Sequence, residues 1–244
     1  MLIAGLDLAA EPKGTALAVI DWASKSARLV SLELGVDDEL AVRTALEVEK
    51  FGIDCALGWP VDFVAFLNEH NNLASDKAPF DGDSTLRRSL AHRETDRKVR
   101  EITGKWPLSV STDRLGMTAI RCAGLLSKMG THFDVDRSGL GRVVEVYPGA
   151  ALRGWFAETS GYRNSEIIRQ ELIEELCNRA PWLQLNSLNQ LMIESCDAFD
   201  SVLAALAARA AQLGASTAPS ESQLGVAAVE GWIHLPTSEI ESLL

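Results

Sequence analysis

The sequence predicts an α/β fold: a mixed five-stranded sheet flanked by helices, with a helical insertion over residues 61–130. Three observations predict it. Three short apolar segments follow one another in the first 34 residues, separated by tight polar turns. A helical pattern then lies between two further strand-like segments, which implies a crossover and parallel pairing. No linker splits the chain, so the helices that follow belong to the same unit.

The first strand is read over Leu2–Ala9, the second over Thr15–Trp22 and the third over Ala27–Leu34, an antiparallel meander. Leu40, Val42, Ala45, Leu46 and Val48 share one face of a helix over 38–50. Gly52 ends that helix, and a buried strand is read over Ile53–Leu57. The insertion opens on a helical pattern from Val61, passes through a polar loop over 71–83, and continues as a charged helix over 86–104. A second amphipathic helix is expected over 113–129 with Thr112 as its N-cap. Arg142–Tyr147 reads as the fifth strand, followed by helices over 150–156 and 165–177, the latter capped by Ser165. A long Ala- and Leu-rich helix is expected over 188–213, and a short edge strand near 230–236.

Composition narrows the class. With 47% hydrophobic and 23% charged residues, disorder is excluded for most of the 244-residue chain. No apolar run approaches the roughly 20 residues that span a bilayer. The opening MLIAGLDLAA lacks a basic region and is interrupted by Asp7, so no signal peptide is read. Cys55, Cys122, Cys177 and Cys196 form no CxxC, which suits a reducing, cytoplasmic setting. The expected state is a monomer or homodimer without membrane association. A net charge of -11 argues against broad nucleic-acid binding but leaves room for a local basic patch.

Five acids interrupt apolar elements: Asp7, Asp54, Glu145, Asp197 and Asp200. A carboxylate in such a place needs a hydrogen-bond donor or a cation. Asp197 and Asp200 lie three apart and share a helix face. If the first, fourth and fifth strands are neighbours, their acids meet at one rim of the sheet, joined by that helix pair. Such a cluster suits Mg²⁺ or Mn²⁺, hard ions that prefer oxygen. Spacing alone leaves open which acids bind metal and which are strand-end acids or salt-bridge partners.

Leu86–Lys105 carries Arg87, Arg88, Arg93, Arg97, Lys98, Arg100 and Lys105 against Glu94, Asp96 and Glu101. This is either the footprint of a phosphate-bearing partner or a salt-bridged helix. Gly14 and Thr15 weakly resemble the phosphate loop of actin-like kinases. The four histidines show no ligand spacing, and Cys55 reads as a core thiol.

Taken in order, GLDLA, IDCALGWPVDF, HRETDR, PLSVSTDRLG, VVEVYPGAALR and DAFDSVLAALAA resemble the family called domain of unknown function 429. Its members are predicted nucleases of the ribonuclease H-like fold. The likeness runs from Leu2 to about Pro236; Ala56 departs from it, standing where the family usually carries proline. The resemblance implies a sheet whose first three strands are antiparallel and whose first, fourth and fifth are parallel. It implies Asp7, Asp54, Asp197 and Asp200 as the metal-holding acids of the catalytic site, with Glu145 a ligand or a supporting group. It also places Arg93, Thr95, Asp96 and Arg97, with Thr112, Asp113 and Arg114, over the site, where the arginines would hold phosphate. The expected activity is metal-dependent hydrolysis of phosphodiester bonds in nucleic acid, with the basic 86–105 segment engaging the substrate. The alternatives are a small-molecule phosphotransferase or nucleotide hydrolase on the same fold, and a non-catalytic binding module.

Overall fold

The computed structural model describes residues 1–72 and 83–244. Among these residues six strands form one mixed sheet. β1 (Leu2–Asp7), β2 (Ala16–Trp22) and β3 (Ala27–Leu34) are the expected antiparallel meander. α1 (Asp38–Glu47), capped by the Asp37 carboxylate, crosses to β4 (Lys50–Asp54), which pairs parallel with β1. Then come α2 (Val61–Asn71), α3 (Ser84–Ala91), α4 (Glu94–Thr103) and α5 (Gly116–Met129). β5 (Val143–Glu145) returns parallel to β4. α6 (Pro148–Trp155), α7 (Glu166–Arg179), β6 (Leu183–Gln184), α8 (Asn189–Glu194), α9 (Cys196–Gln212) and α10 (Leu224–Glu230) complete the chain. The strand order is β5-β4-β1-β2-β3-β6.

Several expectations are corrected. The sheet has six strands rather than five: β6 is a two-residue strand parallel to β3, too short to show any periodicity. β4 begins at Lys50, three residues early, because the Lys50 ammonium is buried and donates to the carbonyls of Gly139 (2.6 Å) and Gly141 (2.5 Å). The charged helix over 86–104 is two helices, since His92 and Arg93 are extended between α3 and α4. Thr112 caps no helix; α5 starts at Gly116, and Asp113 instead accepts from the Ser109 N–H within the preceding turn. The long helix over 188–213 breaks at Ser195, whose hydroxyl caps α9 by accepting from the Ala198 N–H. The tail near 230–236 forms isolated bridges, Ile233 with Glu145 and Pro236 with Ser216. The loop expected over 71–83 lies, apart from its ends, outside the described residues.

One face of the sheet packs against α9, supported by α6, α7 and α8; Ile3, Ala18, Ile20, Val144, Val202 and Leu206 are in that core. The other face packs against α1 and α5 through Leu6, Leu17, Phe51, Ile53, Ala45 and Leu125. The α9 face is unusually close. A Cβ on Gly5 of β1 would overlap the backbone of Ser201 and Ala205, and one on Gly52 of β4 would lie 2.8 Å from the Ala204 carbonyl oxygen. Gly5 and Gly52 are register partners, so the helix backbone rests directly on two adjacent strands.

This contact makes a prediction. Gly5→Ala costs about 3 kcal/mol or more, because the obstacle is backbone and cannot turn aside. Gly225→Ala, whose new Cβ meets nothing within 4 Å in α10, is neutral or stabilising by up to about 1 kcal/mol. Thermal melts of the two variants check the contrast.

Candidate active site

Side chains alternate along a strand, so Asp7 shares the α9 face with Gly5, and Asp54 shares it with Gly52. The two aspartates are themselves register partners at the ends of parallel strands. α9 begins over the same end of the sheet, because Ser195 breaks the chain there, and its first two turns carry Asp197 and Asp200. Four carboxylates from three elements therefore line one cleft of about 830 Å³.

Burial dominates their electrostatics. Burial pushes the Asp7 carboxyl well above the ordinary range, with further rises from Asp54, Asp200 and Asp197. Asp54 rises to about 8 through burial, with Asp200 and Glu145 adding to it. Asp200 rises to about 6 and Asp197 also rises, both chiefly by burial. Among the described residues, no hydrogen-bond donor reaches the carboxylates of Asp7 or Asp54. Asp200 is better supplied: the Tyr162 hydroxyl donates to it at 3.0 Å, and Arg163 Nη2 lies 3.4 Å away.

Glu145 differs. Its register partner is Ile53, so it leaves β5 on the opposite face. There Arg93 grips it with two bonds (2.8 and 2.7 Å), and the Leu57 N–H donates at 3.0 Å. Arg93 also donates twice to Asp96 and once to the Glu230 carbonyl. These bonds occupy all five of its N–H groups, and the side chain is 3% exposed. Thr95 accepts from the Ile233 N–H, and the buried Glu230 carboxylate accepts from Val61 and Glu94 N–H. Arg93 and Glu145 thus form a wall of the cleft, with Thr95 and Asp96 buried behind it, and Arg93 has no donor left for phosphate.

The remaining expected phosphate contacts are scattered. Arg97 is exposed but pairs with Glu94 and the His92 carbonyl. Thr112 and Asp113 shape a turn with Ser109. Arg114 does line the cleft, as does Lys105 from the basic segment, while Arg87, Arg88 and Arg100 are exposed away from it. Trp106 stacks on His92 at 4.1 Å. Tyr162, Arg163 and Arg153 also line the cleft, and the sequence reading missed them. For Tyr162 and Arg163 the only signal was the turn SGYRNS, where Gly161 takes φ +83°; Arg153 closes the motif VVEVYPGAALR.

As donors, the four aspartates suit a hard divalent cation: every ligand atom is oxygen, and two carboxylates have no competing donor. Among the described residues, however, no three His, Cys, Asp or Glu side chains are drawn to ligand spacing.

The sequence matches, over residues 5–224, the family described as "Protein of unknown function (DUF429)". The chain belongs to the DUF429 family. No curated protein and no solved structure matches it. All six motifs that carried the resemblance lie within the DUF429 match, and both the acid cluster and the Arg93–Glu145 wall are built from them.

Two outcomes are expected. Folded-state carboxyl pKa values raised toward 6 and 8 mean that the native protein holds protons the unfolded chain releases near 4. Their contribution is therefore full below about pH 4 and lost as pH rises through about 8. Without divalent metal, Tm falls between pH 6 and pH 8, and Asp54→Asn flattens that fall and raises Tm at pH 8; melts at both pH values measure it. Arg93→Met strands two buried acids, Asp96 and Glu145, and costs about 3–5 kcal/mol, read by denaturant unfolding.

Proposed function

We propose that this DUF429 chain is a metal-dependent nuclease of the ribonuclease H-like fold. The observation that carries the reading is the pairing of Asp7 with Asp54 across parallel strands, under the Asp197/Asp200 turn of α9. The antiparallel meander followed by parallel strands supports the fold half of the proposal.

Asp7, Asp54, Asp197 and Asp200 would hold Mg²⁺ or Mn²⁺. A bound ion of this kind supplies Lewis-acid polarisation of a phosphoryl oxygen. The chain's own residues do the rest. Tyr162 fixes the Asp200 carboxylate by its hydroxyl bond. The Arg93–Glu145 pair stiffens the wall between β5 and the Leu57 backbone. Lys105, Arg114 and Arg153 line the mouth and offer positive charge to a phosphodiester backbone. In a protein of net charge -11, this local positive charge would draw nucleic acid to the cleft rather than to the rest of the surface.

The phosphotransferase reading loses its one support. The Thr15 hydroxyl is buried and already engaged with the Ala9 N–H, the Glu11 carbonyl and Arg121, so it is not free to hold phosphate.

The test is purified protein with Mg²⁺ or Mn²⁺ on structured and single-stranded DNA and RNA. Cleavage is expected, lost at least about 100-fold in Asp7→Asn and Asp200→Asn. Equal cleavage by wild type and Asp7→Asn means that the activity belongs to a contaminant. A wild type that binds nucleic acid but never cuts it, with either ion, points to a binding module.

A further inference from the structure

Among the described residues, one cation acts on all four aspartates. Arg163 lowers the proton affinity of Asp7, Asp54, Asp197 and Asp200 alike. Its backbone is fixed and its head is not. Gly161 turns the chain at φ +83°, Ser165 caps α7, and between them buried Arg169 donates to the carbonyls of Tyr162 (2.7 Å) and Arg163 (3.3 Å). The same Arg169 donates to the carbonyls of Ile193 (2.8 Å) and Glu194 (3.4 Å), just before the Ser195 cap. The Arg163 turn and the start of α9 are thereby clamped together, independently of what the Arg163 side chain does.

The guanidinium itself is loosely held. Its Nε donates to the Tyr162 hydroxyl at 3.0 Å. Its Nη2 stands 3.4 Å from Asp200, an ion-pair distance longer than a good charge-assisted bond. Its side chain is 52% exposed where that of Asp200 is 5%. Contrast Arg93, where all five N–H groups are taken and the side chain is 3% exposed. Arg93 is cemented into the wall; Arg163 rests against the acids with most of its donors uncommitted among the described residues and the cleft in front of it.

We propose that Arg163 is a two-state counter-ion: it neutralises the aspartate cluster while no divalent cation is there, and it turns to a backbone phosphate of the substrate once one is. This rests on the nuclease reading for the identity of the phosphate, but not for the counter-ion half. A monovalent charge that occupies the cluster's field competes with an incoming cation. Released, a guanidinium offers paired N–H groups matched to phosphate oxygens. Loading the site and gripping the substrate are then linked through one side chain, which acts through the acids as a positioning residue.

The experiment uses the full chain and three variants, Arg163→Ala, Arg163→Lys and Asp54→Asn. Calorimetric titration with Mn²⁺ alone is expected to show about tenfold tighter binding in Arg163→Ala, with Arg163→Lys near wild type. Binding of a single-stranded DNA oligonucleotide in Ca²⁺ is expected to weaken about tenfold in Arg163→Ala and to be partly rescued by lysine. In metal-free melts, Arg163→Ala lowers Tm in wild type and lowers it less in the Asp54→Asn background. A residue with only a packing role would show neither the gain in Mn²⁺ affinity nor that dependence on Asp54. Mn²⁺ affinity that stays the same or falls in Arg163→Ala overturns the proposal, as does oligonucleotide affinity that does not change. A wild type that shows the expected Mn²⁺, oligonucleotide and melting differences but cuts no nucleic acid sinks the nuclease reading and supports this one.

Discussion

The contact between the backbone of α9 and the two glycines beneath it governs the rest of the molecule. A helix usually stands off a sheet by the depth of the side chains between them. Here Gly5 and Gly52 contribute none, and α9 answers with Ser201, Ala204, Ala205 and Ala208. The approach brings the first turns of the helix down to the ends of β1 and β4. Two residues on from each glycine, on the same face, stand Asp7 and Asp54. The spacing of the acids is thus set by rigid elements rather than by loops, which is the kind of support a catalytic site needs. A methyl group on either glycine would damage packing and site together.

Buried charge is handled in two opposite ways a few residues apart. Around Arg93 every donor has an acceptor, and Glu145 receives three bonds from Arg93 and Leu57. Gly231 makes room for this: it sits at φ +87°, and a Cβ there would come within 2.6 Å of a Glu145 oxygen. That network stiffens the wall and is inert. Burial raises the Glu145 carboxyl as well, but Arg93 and the Leu57 N–H oppose the rise; Asp7 and Asp54 have no such hydrogen bonds among the described residues, and only the charge of Arg163 opposes theirs. Uncompensated carboxylates facing a cleft mark a functional site far better than compensated ones do.

The sequence exposed the second kind of charge more readily than the first. Asp7, Asp54 and the Asp197/Asp200 pair stand out because each breaks an apolar run, and three-residue spacing is enough to put the pair on one helix face. Glu145 breaks a run in the same way, yet its face depends on the β4–β5 register, which no local pattern encodes. Arg93 looked like part of a basic surface because partners 52 and 137 residues away cannot be read from its neighbours. Lys50 looked like the end of a helix for the same reason, since its acceptors lie 89 and 91 residues on. Helix breaks at His92 and Ser195 were hidden too: both segments keep helical composition, and a single extended residue or two carries no periodicity of its own. Arg163 was invisible because an arginine in a turn is ordinary until the chain folds.

A charge count explains why the acid cluster calls for a divalent ion rather than for another arginine. Four ionised aspartates carry four negative charges. Arg163 returns one, and the N-terminus of α9 contributes roughly half a charge more. The deficit is then about two and a half, and it adds to burial in raising the proton affinities of Asp7, Asp54 and Asp200. Protons relieve it at low pH, which protects the fold but removes the ligands. A hard dication relieves it at neutral pH and keeps every oxygen available. If Arg163 then leaves for a phosphate, the deficit grows by one and the hold on the cation tightens. Substrate and ion would therefore favour one another through electrostatics alone, without any movement of the β-sheet or of α9.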